Sequence, residues 1–319
     1  MSKHAVFIDG SEGTTGLEIQ QRLESREDIE LIKIDSELRK DLSERARLIQ
    51  EADAAILCLP DVAAREVVAA VGASSTKIID ASTAHRVDSE WVYGLPELCA
   101  EQRERLAETT RIANPGCHST SYPLLLRPLV DAGILPVDAQ ITATSLTGYS
   151  GGGKNMIARF ESETGDHLAA CPYALGMQHK HLPEMQAFSG LESAPAFLPT
   201  VGRFFRGMIL SIPLHASQLK GYLGDPKQIV EILSKRYADE PCIQVFPAND
   251  MSTAPQGLLD PTTCNHTNRV DLLVHATGPD YVLLQGRLDN LVKGASGAAV
   301  QNLNIALGAP ELSGLTTQL

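Results

Sequence analysis

Residues 5–16 read AVFIDGSEGTTG, and this stretch decides the fold of the first half of the chain. An apolar strand over residues 5–9 is followed by a glycine turn and then, over residues 17–25, by apolar residues at helical spacing. The glycines allow backbone amides at the start of the helix to approach a pyrophosphate. The stretch departs by one residue from the usual dinucleotide fingerprint, so an ordinary strand-to-helix turn is the alternative. We expect the cofactor to contact Gly10, Gly13, Thr14, Thr15 and Gly16.

Strands and helices continue to alternate downstream, which predicts a parallel, doubly wound sheet. The expected strands are residues 29–34, 54–59, 77–80 and 111–113, and the expected helices are residues 43–52 and 63–71. From about residue 137 long strand-like runs dominate, which predicts a mixed, largely antiparallel sheet. These runs are residues 138–146, 207–215, 269–276 and 281–288, with helices at 152–164, 226–237 and 296–307. We expect the last helix to return to the first domain.

Composition limits the classes of function that remain open. The chain has 319 residues, is 43% hydrophobic and carries a formal net charge of -12, so two domains fit and a basic nucleic-acid surface is not expected. Its apolar runs are too short to cross a membrane. Six cysteines without a Cys-x-x-Cys pair indicate reduced thiols and a cytoplasmic protein.

The residues after the second strand distinguish two forms of the dinucleotide. Asp35 alone would favour NAD, whereas Ser36, Arg39 and Lys40 would hold the 2′-phosphate of NADP. We expect NADP, and a solvated charged loop is the alternative. Leu59 and Pro60 end the third strand, where such folds place the ribose and the nicotinamide.

Cys117 lies between a strand at residues 111–113 and a helix that starts near residue 119. Unpaired amides and the helix dipole at such a position favour a thiolate. We expect a nucleophile; the alternative is a small buried hydrophobe, as Cys58 is expected to be.

A thiolate beside a dinucleotide indicates an acyl thioester that accepts or donates hydride at the same carbon. This chemistry also needs a proton shuttle, for which His179 and His181 are the candidates. Their side chains would share a face if the segment is extended. A polar loop and a metal site of His179, His181 and Glu184 are the alternatives, but no further cluster supports a metal and we expect none.

Eight motifs together resemble the N-acetyl-gamma-glutamyl-phosphate reductase family, in its shorter form, over nearly the whole chain. They occupy residues 10–16, 80–86, 93–97, 114–117, 148–154, 179–184, 206–208 and 289–304. The resemblance implies a Rossmann-type NADP-binding domain of residues 1–117 and 296–319. It also implies an α+β substrate-binding and oligomerisation domain of residues 118–295.

The resemblance assigns roles residue by residue. It implies that Cys117 is the acyl-accepting nucleophile and His181 the general acid/base, although the two histidines could exchange roles. Implied substrate contacts are His179, Glu184, Arg86, Ser82, Asn114 and Arg206. Further implied cofactor contacts are Ser82, Gly151, Gly152 and Asn302. His118 and Ser119 depart from the family pattern, which commonly has an aromatic and a small residue or proline there, and Ser211 replaces the usual threonine.

The implied activity is the NADPH-dependent reductive dephosphorylation of N-acetyl-L-glutamyl 5-phosphate to its semialdehyde, a step of arginine biosynthesis. A homo-oligomer, dimer or tetramer, is expected. One rival is a sister enzyme that reduces aspartyl phosphate or an aminoadipyl analogue by the same chemistry. Another is a non-catalytic NADP-binding redox sensor.

Overall fold

The structure is a computed structural model and describes residues 3–162, 168–276 and 278–319. The chain forms two compact units. The first contains Met1–Gly116 and Ala295–Leu315, and the second contains Cys117–Gly294 and Thr316–Leu319. Within the described ranges, no helix combines the length and the apolar character needed to cross a membrane.

The two units contain thirteen strands and nine α-helices among the described residues. The strands are β1 His4–Asp9, β2 Ile29–Ile32, β3 Ala54–Leu57, β4 Lys77–Asp80, β5 Val92–Tyr93, β6 Arg111–Ala113, β7 Thr142–Gly148, β8 Ala170–Pro172, β9 Ala196–Gly202, β10 Met208–His215, β11 Ile243–Val245, β12 Val270–His275 and β13 Tyr281–Leu288. The helices are α1 Thr14–Glu24, α2 Leu42–Glu51, α3 Asp61–Val71, α4 Gln102–Glu108, α5 Cys117–Asp131, α6 Gly153–Glu161, α7 Leu182–Ser189, α8 Lys227–Arg236 and α9 Gly297–Ala306.

The first unit is the expected doubly wound sheet. Its strand order is β2-β1-β3-β4-β6-β5, and every neighbouring pair is parallel. One face is covered by α1, α4 and α9 through residues such as Ile19, Leu106 and Leu303. The other is covered by α2 and α3 through Ile49 and Val67. Because both faces are covered, β3 reads as a continuous buried run, as parallel strands do.

The second unit is built on a mixed sheet, as expected. Its order is β11-β12-β13-β10-β7-β9-β8. The pairs β7–β9 and β11–β12 are parallel, and the other neighbours are antiparallel. Helix α5 packs against β13, α7 and α8, which places its first turn beside the segment that precedes α7.

Several element bounds differ from the prediction. Helix α1 begins at Thr14, inside the glycine turn, and β7 starts four residues later than expected and ends at Gly148. Helix α6 begins at Gly153; positions 163 and 164 of the predicted helix lie outside the described residues. Six further elements are not predicted by the sequence patterns, namely β5, β8, β9, β11, α4 and α7.

Candidate active site

The glycine turn of the first unit forms a backbone cradle at the N-terminus of α1. Gly10 has a φ of +84°, and a Cβ there would collide with the carbonyl oxygen of Cys58. A Cβ at Gly16 would lie 2.5 Å from the carbonyl oxygen of Gly10. Gly13 precedes α1 and donates its N–H to the Gly10 carbonyl at 3.0 Å. The cradle therefore admits no side chains at Gly10 and Gly16, and its geometry fits a dinucleotide pyrophosphate at a helix N-terminus.

A cleft adjoins this turn within the first unit. It is lined by Phe7, Ile8, Ser11, Gln20, Leu31, Ile32, Lys33 and Ile34. The lining comes from β1, the glycine turn, α1 and the end of β2, where adenosine lies in sheets of this type.

The loop after β2 presents cations near the glycine turn. Asp35 accepts the backbone N–H of Glu37 at 2.9 Å, so its carboxylate faces its own loop. The Arg39 guanidinium lies 2.7 Å from the carboxylate of Glu12, a residue of the glycine turn. Ser36 and Lys40 are exposed on the same loop.

Leu59, Pro60 and Ser82 follow neighbouring strands of the first unit. Pro60 precedes α3 and is exposed, whereas Leu59 is half-buried. The Ser82 hydroxyl donates to the Asp80 carboxylate at 2.7 Å, and His85 Nδ1 lies 2.6 Å from the same carboxylate. Asp80 thus fixes the turn that contains Ser82.

A buried network joins Arg86, Asn114 and Asn302 within the first unit. Arg86 Nε donates to the Asn114 carbonyl at 2.9 Å. Asn302 Nδ2 donates to the Gly94 carbonyl at 2.9 Å and to Asn114 Oδ1 at 3.0 Å, and Asn114 Nδ2 donates to the Ala295 carbonyl at 3.0 Å. These bonds hold Asn114 rigidly, just before the chain enters the second unit.

Cys117 is half-buried and is the first residue of α5. The first amides of a helix have no partners within it, and the dipole favours negative charge there. A Cβ placed on Gly294 would lie 2.6 Å from the Cβ of Cys117, so only glycine leaves room for this thiol. Burial, and then the charge of Cys117, raise the pKa of the Tyr173 hydroxyl.

Three histidines cluster beside the thiol. The Nδ1 atom of His118 lies 3.6 Å from Cys117 Sγ and 3.3 Å from His181 Nδ1. The ring centroids of His179 and His181 are 4.6 Å apart, and His179 Nδ1 accepts the backbone N–H of His181 at 3.1 Å. The segment is not extended at His181, which has helical φ and ψ and precedes α7. The turn nevertheless brings both rings together.

Glu184 in the first turn of α7 supports His181. Its Oε1 lies 4.0 Å from His181 Nε2, and both side chains are buried. Ser119 donates its hydroxyl to the His181 carbonyl at 3.4 Å. The cluster thus contains the thiol of Cys117, the imidazole of His181 and the carboxylate of Glu184.

In the sequence, His118 stands out only as a departure from the family pattern. It is 2% exposed, and its Nε2 has no hydrogen-bond partner among the described residues. Burial, followed by the charges of His179 and Lys180, lowers the pKa of His118 to about 3, so the ring is neutral at physiological pH. The sequence signal for His118 was its position next to a candidate nucleophile. Its contact with His181 depends on the fold and could not be predicted from that position.

Arg206 and Gly151 belong to a different cluster in the second unit. Arg206 Nη1 lies 3.5 Å from Asp289 Oδ2. Asn290 accepts the N–H of Gly207 at 2.7 Å and donates to Ser150 at 3.1 Å. These bonds join the strand that follows Arg206 to the turn that contains Gly151 and Gly152.

Two family models match the chain. The semialdehyde dehydrogenase NAD-binding domain matches residues 5–106, and the semialdehyde dehydrogenase dimerisation domain matches residues 117–290. The first match spans the glycine turn, and the second begins at Cys117. The class is thus an oxidoreductase with an NAD(P)-binding domain.

Named relatives show to which family of oxidoreductases the chain belongs. N-acetyl-gamma-glutamyl-phosphate reductase 2 of Nostoc sp. is 47% identical, covering 99% of this chain and 100% of the relative. Its counterpart in Pseudomonas putida is 44% identical, covering 98% and 100%. The aspartate semialdehyde dehydrogenase structure from Francisella tularensis shares the fold, with a TM-score of 0.72 at 13% identity over 95% of this chain and 99% of that one. The chain belongs to the N-acetyl-gamma-glutamyl-phosphate reductase family.

Proposed function

We propose that this protein reduces N-acetyl-L-glutamyl 5-phosphate to N-acetyl-L-glutamate 5-semialdehyde with NADPH, in arginine biosynthesis. The observation that carries the proposal is the position of Cys117 at the start of α5, beside the His181–Glu184 pair. The 47% identity to a named reductase over nearly the full chain supports this choice of substrate.

In the proposed reaction, the Cys117 thiolate attacks the acyl carbon, a C–S bond forms, and the C–O bond to phosphate breaks. NADPH, when bound, supplies a hydride to the carbon of the resulting thioester. His181 donates a proton to the oxygen of the thiohemiacetal as charge develops there, and recovers it when the thiohemiacetal collapses to aldehyde and thiolate. Backbone amides at the start of α5 stabilise the oxyanion.

Substrate binding in this proposal uses His179 and Glu184 near the thiol. Arg86, Ser82, Asn114 and Arg206 are the further contacts proposed for the phosphate and carboxylate groups. Arg86 Nε donates a hydrogen bond to the Asn114 carbonyl, which supports a guanidinium held in one position. Preorganised donors of this kind act on anions without reorganisation.

NADP is the proposed form of the cofactor, bound at the glycine cradle with further contacts from Leu59, Pro60, Ser82, Gly151, Gly152 and Asn302. Arg39, Ser36 and Lys40 are the proposed ligands of the 2′-phosphate. The position of Arg39 against Glu12 of the glycine turn supports this assignment, as does Asp35, whose carboxylate faces its own loop.

We propose that the second unit provides the surface through which the protein associates with itself. Helices α5 and α8 cover one face of its sheet, whereas the other face carries partly exposed apolar residues. Leu146 and Leu198 are 36% and 47% exposed, and Tyr281 is 65% exposed. Exposed apolar patches of this kind favour association, so we propose a homodimer or a homotetramer.

The proposed compartment is the cytoplasm. The described residues include six free cysteines. Cytoplasmic conditions keep such thiols reduced.

A panel of aldehydes tests the proposed substrate. The purified protein is assayed for phosphate-dependent reduction of NADP by N-acetylglutamate 5-semialdehyde, aspartate semialdehyde and the N-acetylated aminoadipate semialdehyde. The proposal predicts turnover of the first compound alone. Preferred turnover of either other compound would assign the chain to a sister reductase, and nucleotide binding without any turnover would favour a redox sensor.

A further inference from the structure

Three potential metal ligands meet at the thiol of the second unit. Cys117 offers its Sγ, and His118 and His181 each offer one ring nitrogen, and these three atoms all lie within 4.8 Å of one another. The set differs from the His179–His181–Glu184 group considered from sequence, because it includes the thiol and the buried His118. Two adjacent residues on α5 and one residue before α7 supply the three atoms.

Two of the three spacings match a tetrahedral zinc ion. The sulfur is 3.6 Å from His118 Nδ1, and the two Nδ1 atoms are 3.3 Å apart. With Zn–S near 2.3 Å and Zn–N near 2.0–2.1 Å, tetrahedral angles give edges of about 3.6 Å and about 3.3 Å. These two separations are therefore close to those around the ion, and the third pair of ligand atoms, from Cys117 and His181, lies within 4.8 Å.

The surroundings also suit a bound cation. Glu184 Oε1 lies 4.0 Å from His181 Nε2, the nitrogen that would face away from the metal. Carboxylates in this position orient metal-binding imidazoles. His118 is buried, and no described residue hydrogen-bonds its Nε2, so an ion that binds Nδ1 breaks no bond at Nε2.

We propose that Cys117, His118 and His181 form a reversible inhibitory site for Zn²⁺. The ion binds the Cys117 sulfur as a thiolate, and the thiol proton passes to solvent. The two imidazoles supply neutral ligands, and a solvent molecule completes the tetrahedron. A thiolate bound in this way cannot attack an acyl phosphate, so occupancy stops the reaction while removal of the ion restores it.

Cobalt spectroscopy tests the site directly, since tetrahedral Co²⁺ bound to a thiolate shows a sulfur-to-metal charge-transfer band. Titration of the full chain with Co²⁺ should give this band at one ion per chain, and Zn²⁺ should abolish it. Cys117→Ser should lose the band. His118→Phe should weaken binding by at least about tenfold, the loss caused by removing even an outer-shell partner.

Cys99→Ser is the matched control, because it removes a half-buried thiol of the first unit and should leave the titration unchanged. His118→Asn is a second variant in case His118→Phe does not fold. A charge-transfer band that persists in Cys117→Ser, equal affinity in wild type and the folded His118 variants, or no band at saturation would overturn the proposal.

An activity assay adds a second readout. Zn²⁺ should inhibit turnover at the concentration that displaces Co²⁺, and a chelator should restore it. Only the predicted inhibition rests on the proposed function, because the cobalt spectrum is recorded without substrate. Failure of the spectrum therefore overturns the metal site, and a normal spectrum without turnover would instead overturn the proposed function.

Discussion

Gly294 leaves the space that the Cys117 side chain occupies: a Cβ on Gly294 would lie 2.6 Å from the Cβ of Cys117. Gly294→Ala must therefore displace the thiol. A displacement of about 1 Å costs about 100-fold in rate when reacting atoms need alignment, and we expect a loss of kcat/KM of about that size. Gly176→Ala is the control, because no described residue other than its chain neighbours has an atom within 4 Å of a Cβ built there. Equal activity of the two variants would contradict the expectation.

The cysteines should differ in their reaction with iodoacetamide. Burial raises the pKa of Cys58 and of Cys264 to about 12. At about pH 8 such thiols are about one part in ten thousand thiolate, and the thiolate is the reactive form. We expect mass spectrometry to find Cys117 labelled first, with Cys58 and Cys264 unmodified until the pH approaches their raised pKa or the chain unfolds. Labelling of either at the rate of Cys117 would show that the ordering is wrong.

Variants of the two histidines should separate their roles. His181 is buried beside Glu184, whereas His179 is half-buried and its Nδ1 is occupied by the His181 N–H. We expect His181→Asn to lower kcat by about 10²–10⁴-fold, the usual contribution of a general acid/base. His179→Asn should chiefly raise KM for the acyl substrate. Steady-state kinetics decides, and the reverse pattern would exchange the assignments.

Arg39 should govern the choice between NADP and NAD. Its guanidinium lies 2.7 Å from Glu12 in the glycine turn. Arg39→Ala should raise KM for NADP by about tenfold, the loss of one charge-assisted hydrogen bond, and leave KM for NAD nearly unchanged. Arg47→Ala, on the exposed side of α2, is the control. A parallel loss of both nucleotides would indicate damage to the turn instead.

Asn302 should stabilise the first unit. Its Nδ2 donates to the Gly94 carbonyl and to Asn114 Oδ1, and the side chain is fully buried. Asn302→Leu would leave buried acceptors unpaired, which costs about 1–3 kcal/mol of the free energy of unfolding. Urea titration followed by fluorescence of Trp91, the single tryptophan, reports on this unit. Gln21→Ala, at an exposed position of α1, should show a much smaller change.

Local sequence signals were sufficient for the fold class and for many of its elements. The strand before Gly10 and the helix that contains Ile19 follow from apolar spacing, because each element buries its apolar residues against the same sheet. Strand β5 has two residues, too few for any periodicity. Strand β9 contains Pro199, which argues against a central strand in a sequence; β9 nevertheless lies between β7 and β8, and its register with the short β8 ends at Thr200, one residue before reaching Pro199.

The candidate site could be predicted from the sequence where a residue and its immediate neighbours form a recognisable pattern. Cys117 followed from the strand, the turn and the helix around it. The contact between His118 and His181 joins residues 63 apart in the chain. It depends on α5 packing beside α7, which no local pattern encodes. The amide network of Asn302 and Gly94 is likewise formed between distant segments, 208 residues apart.

The central claim is that Cys117 carries the acyl group. The most direct measurement is phosphate-dependent reduction of NADP by N-acetylglutamate 5-semialdehyde, followed at the nicotinamide absorbance for wild type and for Cys117→Ser of equal folded content. The account predicts turnover by the wild type and none above background by the variant. Near-full activity in Cys117→Ser would contradict the thioester mechanism.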